Sequence, residues 1–139
     1  MTEQSRRKFI EAQRHFAYAR LQADMERVLA RLTGKSPDLL SFEAVRRQLA
    51  GTSTARQVLK EIPLDAIVGS VGRYTDFTRS FLPLRDSAKI RWANIELGLS
   101  SLEGLPPIEV YQIGEVYFVI DGNHRVSVAR QIGATHIEA

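Results

Sequence analysis

The chain has 139 residues, of which 44% are apolar, a formal net charge of +3 and no cysteine. This length is enough for one core of ordinary size with an appended helical piece, not for two full α/β domains. The lack of cysteine excludes disulfides, thiolate metal sites and a cysteine nucleophile. No stretch reaches the roughly 20 apolar residues of a membrane span. The N-terminus MTEQSRRKFIEAQRH also lacks the apolar region of a signal peptide, so we expect a cytoplasmic protein without a membrane partner.

The charge is distributed unevenly along the chain. Residues 1–60 contain 12 Lys/Arg and 6 Asp/Glu, a net charge of +6, whereas residues 61–139 contain 7 and 10, a net charge of −3. A basic half can attract nucleic acid, but an arginine-rich solvated helix produces the same count. His15, His124 and His136 are scattered and have no carboxylate cluster at ligand spacing, so no protein-held metal site is expected.

The first 57 residues predict an α-helical hairpin. Residues 5–32 contain neither Gly nor Pro, Gly34 ends this helix, and a second helix is expected over residues 42–49, before Gly51. We expect the hairpin to pack on the rest of the chain or on a second copy, giving a homodimer. The first helix has apolar side chains at three-and-four spacing, which predict one buried stripe: Phe9, Ala12, Phe16, Ala19, Leu21, Ala23, Met25, Val28, Leu29 and Leu32.

Residues 58–139 mix strands and helices. Pro63 favours an extended segment over residues 61–64, and residues 64–68 lead into a polar loop. A helix is expected over residues 86–98, with Ile90, Ala93 and Leu97 on one face and Trp92 half buried. In the loop before it, Tyr74, Phe77 and Phe81 are expected to anchor the chain to the core.

A β-hairpin is expected next, with strands over residues 108–113 and 116–120 and a turn at Gly114. A helix over residues 124–132 and a final strand from Thr135 follow. These elements predict an α+β fold: a small mixed β-sheet with packed helices, preceded by the N-terminal α-helical hairpin. The predicted division is a helical extension over residues 1–57 and a domain over residues 58–139.

The sequence DGNHR, residues 121–125, joins a buried strand to a helix. The first turn of a helix presents unpaired N–H groups and the positive end of the helix dipole, which attract anions. Gly122 lets a ligand approach the backbone, Asn123 can cap the helix, and His124 and Arg125 add donors. Ser127 can supply a hydroxyl. The alternative is a plain strand-to-helix turn with solvated side chains.

The order of these elements resembles the N-terminal domain of ParB partition proteins and the related sulfiredoxin fold, over about residues 58–139. The resemblance rests on PPIEV, the apolar strand YFVID, the loop GNHR and a helix with small residues that ends in Gly before Thr and Ile. ParB proteins carry G-E-R-R in this loop, sulfiredoxins G-C-H-R, and ParB-like free-serine kinases a D-G-H-H-R type. Asn123 stands where a sulfiredoxin has its catalytic cysteine, so that chemistry is not expected.

The resemblance implies a bacterial-type nucleotide-binding domain with a regulatory or chromosome-partitioning role. The implied ligands are CTP, ATP or ADP with Mg²⁺, and the phosphates are expected at Gly122, Asn123, His124 and Arg125, assisted by the residues after the first strand, Arg73 and Arg79. A small-molecule kinase or nucleotidase is the alternative, with Asp121 and Asp76 as candidate catalytic carboxylates. The third possibility is DNA binding or nuclease activity by the basic N-terminal part.

Overall fold

The computed structural model describes residues 2–48, 57–101 and 104–139, and it confirms the α+β fold class. Part of the second predicted helix, residue 49, and the Gly51 that was expected to follow it lie outside the described residues. Within the described ranges the helices are α1 Glu3–Thr33, α2 Phe42–Gln48, α3 Lys89–Leu99 and α4 Asn123–Gln131. The strands are β1 Leu40–Ser41, β2 Glu61–Pro63, β3 Ile67–Ser70, β4 Glu109–Ile113, β5 Val116–Asp121 and β6 His136–Glu138.

The main sheet is mixed and has the strand order β1-β3-β5-β4. Strands β1, β3 and β5 are parallel, and β4 pairs antiparallel with β5 through the predicted hairpin. Strands β2 and β6 form a separate antiparallel pair. Because parallel strands place their carboxyl ends at one edge, the segments that follow Ser41, Ser70 and Asp121 converge there.

The loop between β3 and α3 is folded onto the core. Phe77 and Phe81 are fully buried, as predicted, and their rings lie 5.9 Å apart. Thr78 is also buried, and its hydroxyl accepts a hydrogen bond from the Leu82 amide at 3.2 Å. The expectation for Tyr74 was wrong, since its side chain remains exposed. The loop therefore has a fixed shape on which functional side chains can be positioned.

Helix α1 packs along α3, and their contact centres on Trp92. Its ring is fully buried and meets the edge of Phe16 at a centroid distance of 5.8 Å. Its indole Nε1 donates to the Ser127 hydroxyl of α4 at 3.0 Å. The expected face of α3 is buried only in part: Ala93 is fully buried, as expected, but Ile90 is 53% exposed, and the other buried residues of the helix are Trp92 and Glu96.

The predicted single stripe on α1 is two separate faces. The residues that pack inwards are small, apart from one Phe, because small side chains allow the two helices to approach closely: Ala12, Phe16, Ala19, Ala23 and Ala30. The larger apolar side chains of the stripe are exposed: Leu21, Met25, Val28, Leu29 and Leu32.

Helix α2 packs against the sheet. Its Phe42 stacks on Tyr111 at 4.8 Å and meets the edge of Phe118 at 5.6 Å. Strand β1, before the predicted domain boundary at 57/58, pairs with β3, after it, so both sides of the boundary contribute to one sheet. The boundary itself stays a prediction. None of the helices in the described part of the chain is long and apolar enough to cross a lipid bilayer.

Candidate anion-binding site

A cavity of about 200 Å³ opens where the carboxyl ends of the parallel strands meet. Three segments form its wall: the loop after β3, the start of α3 and the first turn of α4. We call this cavity the arginine pocket. Its lining residues are Arg73, Asp76, Phe77, Arg85, Ser87, Ala88, Arg91 and His124.

Positive charge exceeds negative charge in the arginine pocket. Asp76 accepts hydrogen bonds from Arg73 Nη1 at 3.2 Å and from Arg85 Nε at 2.9 Å. The guanidinium of Arg91 has no hydrogen bond or ion pair with any residue that the structure describes. Three guanidinium groups and one carboxylate give the lining a formal charge of +2 with His124 neutral. Guanidinium groups in this number match the planar, multidentate recognition of phosphate and carboxylate.

Asp76 is ionised and fully engaged. Burial acts to raise its pKa, but the hydrogen bonds from Arg85 and Arg73 outweigh burial and hold the pKa of this carboxyl below its usual range. As a consequence, Asp76 is a weak proton acceptor near neutral pH, and its main effect in the pocket is to hold two arginines in place.

His124 stands edge-on to Phe77, with ring centroids 5.1 Å apart. Burial lowers the pKa of His124 to about 4; the positive charges of Arg91 and Arg73 add to this shift, and Asp76 opposes it. The imidazole is therefore neutral at pH 7, with one nitrogen that donates and one that accepts. It can bind a phosphate hydroxyl or oxygen without adding charge.

The turn at residues 121–125 differs from prediction in its cap. Gly122 occupies the N-cap position at φ 114°, and a Cβ there would overlap the side chain of Ile108. Asn123 does not cap the helix, because it is the first helical residue; its side chain is buried, and its Oδ1 has no partner among the described residues. The first turn of α4 carries His124, which lines the pocket.

The guanidinium of Arg125 points away from the arginine pocket. Its Nη1 donates to the carbonyls of Pro106 at 2.8 Å and Pro107 at 3.3 Å, and its Nη2 donates to Asp121 at 3.2 Å. These contacts fix the segment before β4 to the start of α4. Arg125 is thereby placed as a structural clamp in this conformation.

Among the predicted site residues, the structure brings together Arg73, Asp76 and His124 in one cavity. Ser127 does not line the cavity; it is buried, and its hydroxyl accepts a hydrogen bond from Trp92 Nε1. Arg79 is exposed, and neither it nor the predicted catalytic Asp121 lines this cavity.

Sequence reasoning missed Ser87 and Arg91. A signal for Arg91 was available, because it directly precedes Trp92, the one tryptophan of the chain. Neighbouring helix residues point about 100° apart, so a residue beside a core aromatic lies at the rim of the core.

A second cavity of about 570 Å³ adjoins the arginine pocket and shares Phe77 and Arg85 with it. It is lined in part by the end of β1, through Ser41, and by Arg27 of α1. Its volume lies in the range of about 300–1,000 Å³ typical of small-molecule sites. The remaining lining residues are Pro37, Asp38, Leu39, Tyr74, Thr75, Thr78 and Leu84.

Within residues 2–48, 57–101 and 104–139, no group of three or more His, Asp or Glu side chains is arranged to hold a metal ion. No protein-family model matches the chain, and neither a curated protein nor a solved structure matches it.

Proposed function

We propose that the chain is a ParB-like nucleotide-binding module that holds phosphate groups in the arginine pocket. The observation that supports this most directly is the unpaired guanidinium of Arg91, in a lining whose formal charge is +2. Arg91 is exposed at the rim of the pocket, so an anionic ligand can bind its guanidinium without displacing a protein carboxylate. Neutral His124 and the hydroxyl of Ser87 offer further polar contacts to phosphate oxygens.

The larger neighbouring cavity is proposed to take the nucleoside. A volume of about 200 Å³ suits phosphate groups, and the adjoining volume of about 570 Å³ suits a base and a ribose. The proposed ligands are CTP, ATP or ADP. Mg²⁺ would be held mainly through the phosphates, because Asp76 already binds two arginines. The proposed setting is a cytoplasmic regulatory or chromosome-partitioning role.

Thermal unfolding with phosphate, CTP, ATP and ADP, each with and without Mg²⁺, tests the proposal. A ligand at ten times its Kd adds about 1.4 kcal/mol to the free energy of unfolding, or a few degrees in Tm. Arg91→Ala should abolish the shift. Arg79→Ala, the matched control, should retain it, because Arg79 is exposed and lines neither cavity. If no ligand stabilises the protein at millimolar concentration, or Arg91→Ala responds like the parent, the proposal fails.

Arg125→Ala distinguishes a phosphate site in the arginine pocket from the phosphate site that the family pattern implies. The family pattern assigns Arg125 directly to phosphate, whereas here its donors serve Pro106, Pro107 and Asp121. We expect Arg125→Ala to lower Tm without ligand and to reduce phosphate affinity less than Arg91→Ala does. If Arg125→Ala lost more phosphate affinity than Arg91→Ala and kept the Tm of the parent, the phosphate would bind at the DGNHR loop and not in the arginine pocket.

A small-molecule kinase or nucleotidase is the second candidate, favoured by the presence of the Asp76 carboxylate inside the arginine pocket. If the chain is such an enzyme, labelled nucleotide, alone or with a panel of amino acids, should give a labelled product. Asp76→Asn or Asp121→Asn should abolish this product. Nucleic-acid binding or nuclease activity is the third; it would weaken steeply with salt. The proposed partners are the nucleotide, a second copy of the chain that pairs through the N-terminal helices, and, for the third function, DNA.

A further inference from the structure

The outer face of α1 carries a regular apolar seam. Its five residues are spaced by three, four, three and four positions, which is the a/d pattern of a coiled coil. Each side chain is between 55% and 78% exposed, and the seam is on the side of α1 opposite to the alanines that contact α3. We define the α1 seam as Tyr18, Leu21, Met25, Val28 and Leu32.

Nothing within the described chain covers this surface. The seam extends over about 21 Å of helix at 1.5 Å per residue, and Leu29 widens it on one flank with a side chain that is also exposed. Contiguous apolar surface on this scale marks an interaction site, whereas single exposed leucines do not. The helix itself is held rigidly by α3, so a partner does not have to order it.

Charges beside the seam identify the occupant and its direction. If Tyr18, Met25 and Leu32 are a positions, Asp24 and Arg31 occupy successive g positions. In a parallel pair each g residue faces an e residue of the partner helix. Asp24 would then face Leu29 of the second copy, which carries no charge. In an antiparallel pair g faces g, so Asp24 of each copy meets Arg31 of the other.

We propose that α1 pairs antiparallel with α1 of a second copy of this chain through the α1 seam. In this arrangement Met25 packs opposite Val28 and Leu21 opposite Leu32 across the two-fold axis, and two Asp24–Arg31 ion pairs flank the core. This names the surface and direction of the self-association proposed above, and it does not depend on the arginine pocket. Two heptads bury less than the roughly 800 Å² per partner of a standard interface, so the dimer is reversible.

Sedimentation velocity of the whole chain over a concentration series tests the inference. We expect a shift from monomer to dimer with a Kd on the order of 10 µM, near −7 kcal/mol. Met25→Glu should remain monomeric throughout, since it places a charge in the centre of the seam. Ile90→Glu is the matched control: Ile90 is as exposed as Met25 but lies on α3, outside the seam, so its dimer should persist. Circular dichroism establishes that both variants are folded.

A charge exchange tests direction. Asp24→Arg places like charges together and should weaken the dimer several-fold, and adding Arg31→Asp should restore it, because the antiparallel pairs are re-formed with reversed sign. A chain that is monomeric at every concentration, or a dimer that Met25→Glu leaves intact, overturns the inference. A dimer that the double exchange does not restore overturns the antiparallel direction. Phosphate binding, measured separately on Met25→Glu, should match the parent, so failure of either proposal is visible independently.

Discussion

Asp76→Asn affects two properties of the arginine pocket in opposite directions. Asp76 is mostly buried and accepts hydrogen bonds from Arg73 and Arg85, both of which are more than half exposed. Discounted for that exposure, each charge-assisted bond contributes about 0.5–1.5 kcal/mol, so the variant should unfold about 1–3 kcal/mol more easily. Because the folded pKa of Asp76 is lowered, its contribution is present above the ordinary pKa of 3.8. It disappears as the pH falls through the folded value, where parent and variant should converge in stability.

The same substitution should tighten phosphate binding. Removing the carboxylate changes the formal charge of the lining from +2 to +3. A unit charge about 6 Å from the ligand, in an effective dielectric constant of ~40, contributes about 1.4 kcal/mol, which is about a tenfold lower Kd. If Asp76 acts as a catalytic base, turnover falls while binding tightens, so the variant also separates the two leading functions.

Isothermal titration with inorganic phosphate measures the affinity, and urea unfolding followed by circular dichroism measures the stability. Asp86→Asn is the matched control: it makes the same chemical change nearby, but Asp86 is 89% exposed and does not line the pocket. Its affinity should change by less than about twofold, because solvent screens the charge. A phosphate affinity that Asp76→Asn leaves unchanged or lowers, or that Asp86→Asn raises equally, would refute an anion site here.

Three further outcomes are expected. Ser127→Ala should lower the free energy of unfolding in urea by about 1–3 kcal/mol, because it leaves the buried Trp92 N–H without an acceptor. It should leave the phosphate affinity unchanged, and a loss of phosphate affinity at full stability would contradict this. Gly122→Ala should cost more stability than Gly114→Ala, since both have positive φ but only the Cβ at Gly122 meets another side chain; equal Tm losses would count against that overlap. Burial lowers the pKa of His124 to about 4 from an ordinary 6.5, so protonation favours the unfolded chain, and the stability should fall as the pH falls from 6.5 towards 4. Bound phosphate should raise this pKa in an NMR titration, and a pKa that stays unchanged with phosphate would place the anion elsewhere.

The strand-to-helix joint was predictable because its signal is local. A buried strand, a glycine and a helical period follow one another in the sequence, and the structure places β5, Gly122 and α4 in that order. The convergence of three segments on one pocket required the parallel order of the strands. That order depends on pairings between β1, β3 and β5, which are far apart in sequence and leave no local pattern.

One expectation was wrong, and another stays a prediction, for physical reasons that the sequence could not reveal. Hydrophobicity ranks Leu21 and Met25 above the alanines of α1, yet the alanines are buried, because close approach to α3 requires small side chains. Direct phosphate binding by Arg125 stays a prediction, and the sequence did not indicate that its guanidinium would donate to the carbonyls of Pro106 and Pro107. Both outcomes depend on which surface each helix meets.

The one tryptophan of the chain is a built-in optical probe. Trp92 is inaccessible to water, touches α1 through Phe16 and α4 through Ser127, and directly follows Arg91 in the chain. Its emission should therefore move to longer wavelength when α1 detaches, even if the sheet stays folded. Fluorescence and circular dichroism recorded on the same sample would then show whether the long helix and the sheet edge at the arginine pocket unfold together or in separate steps.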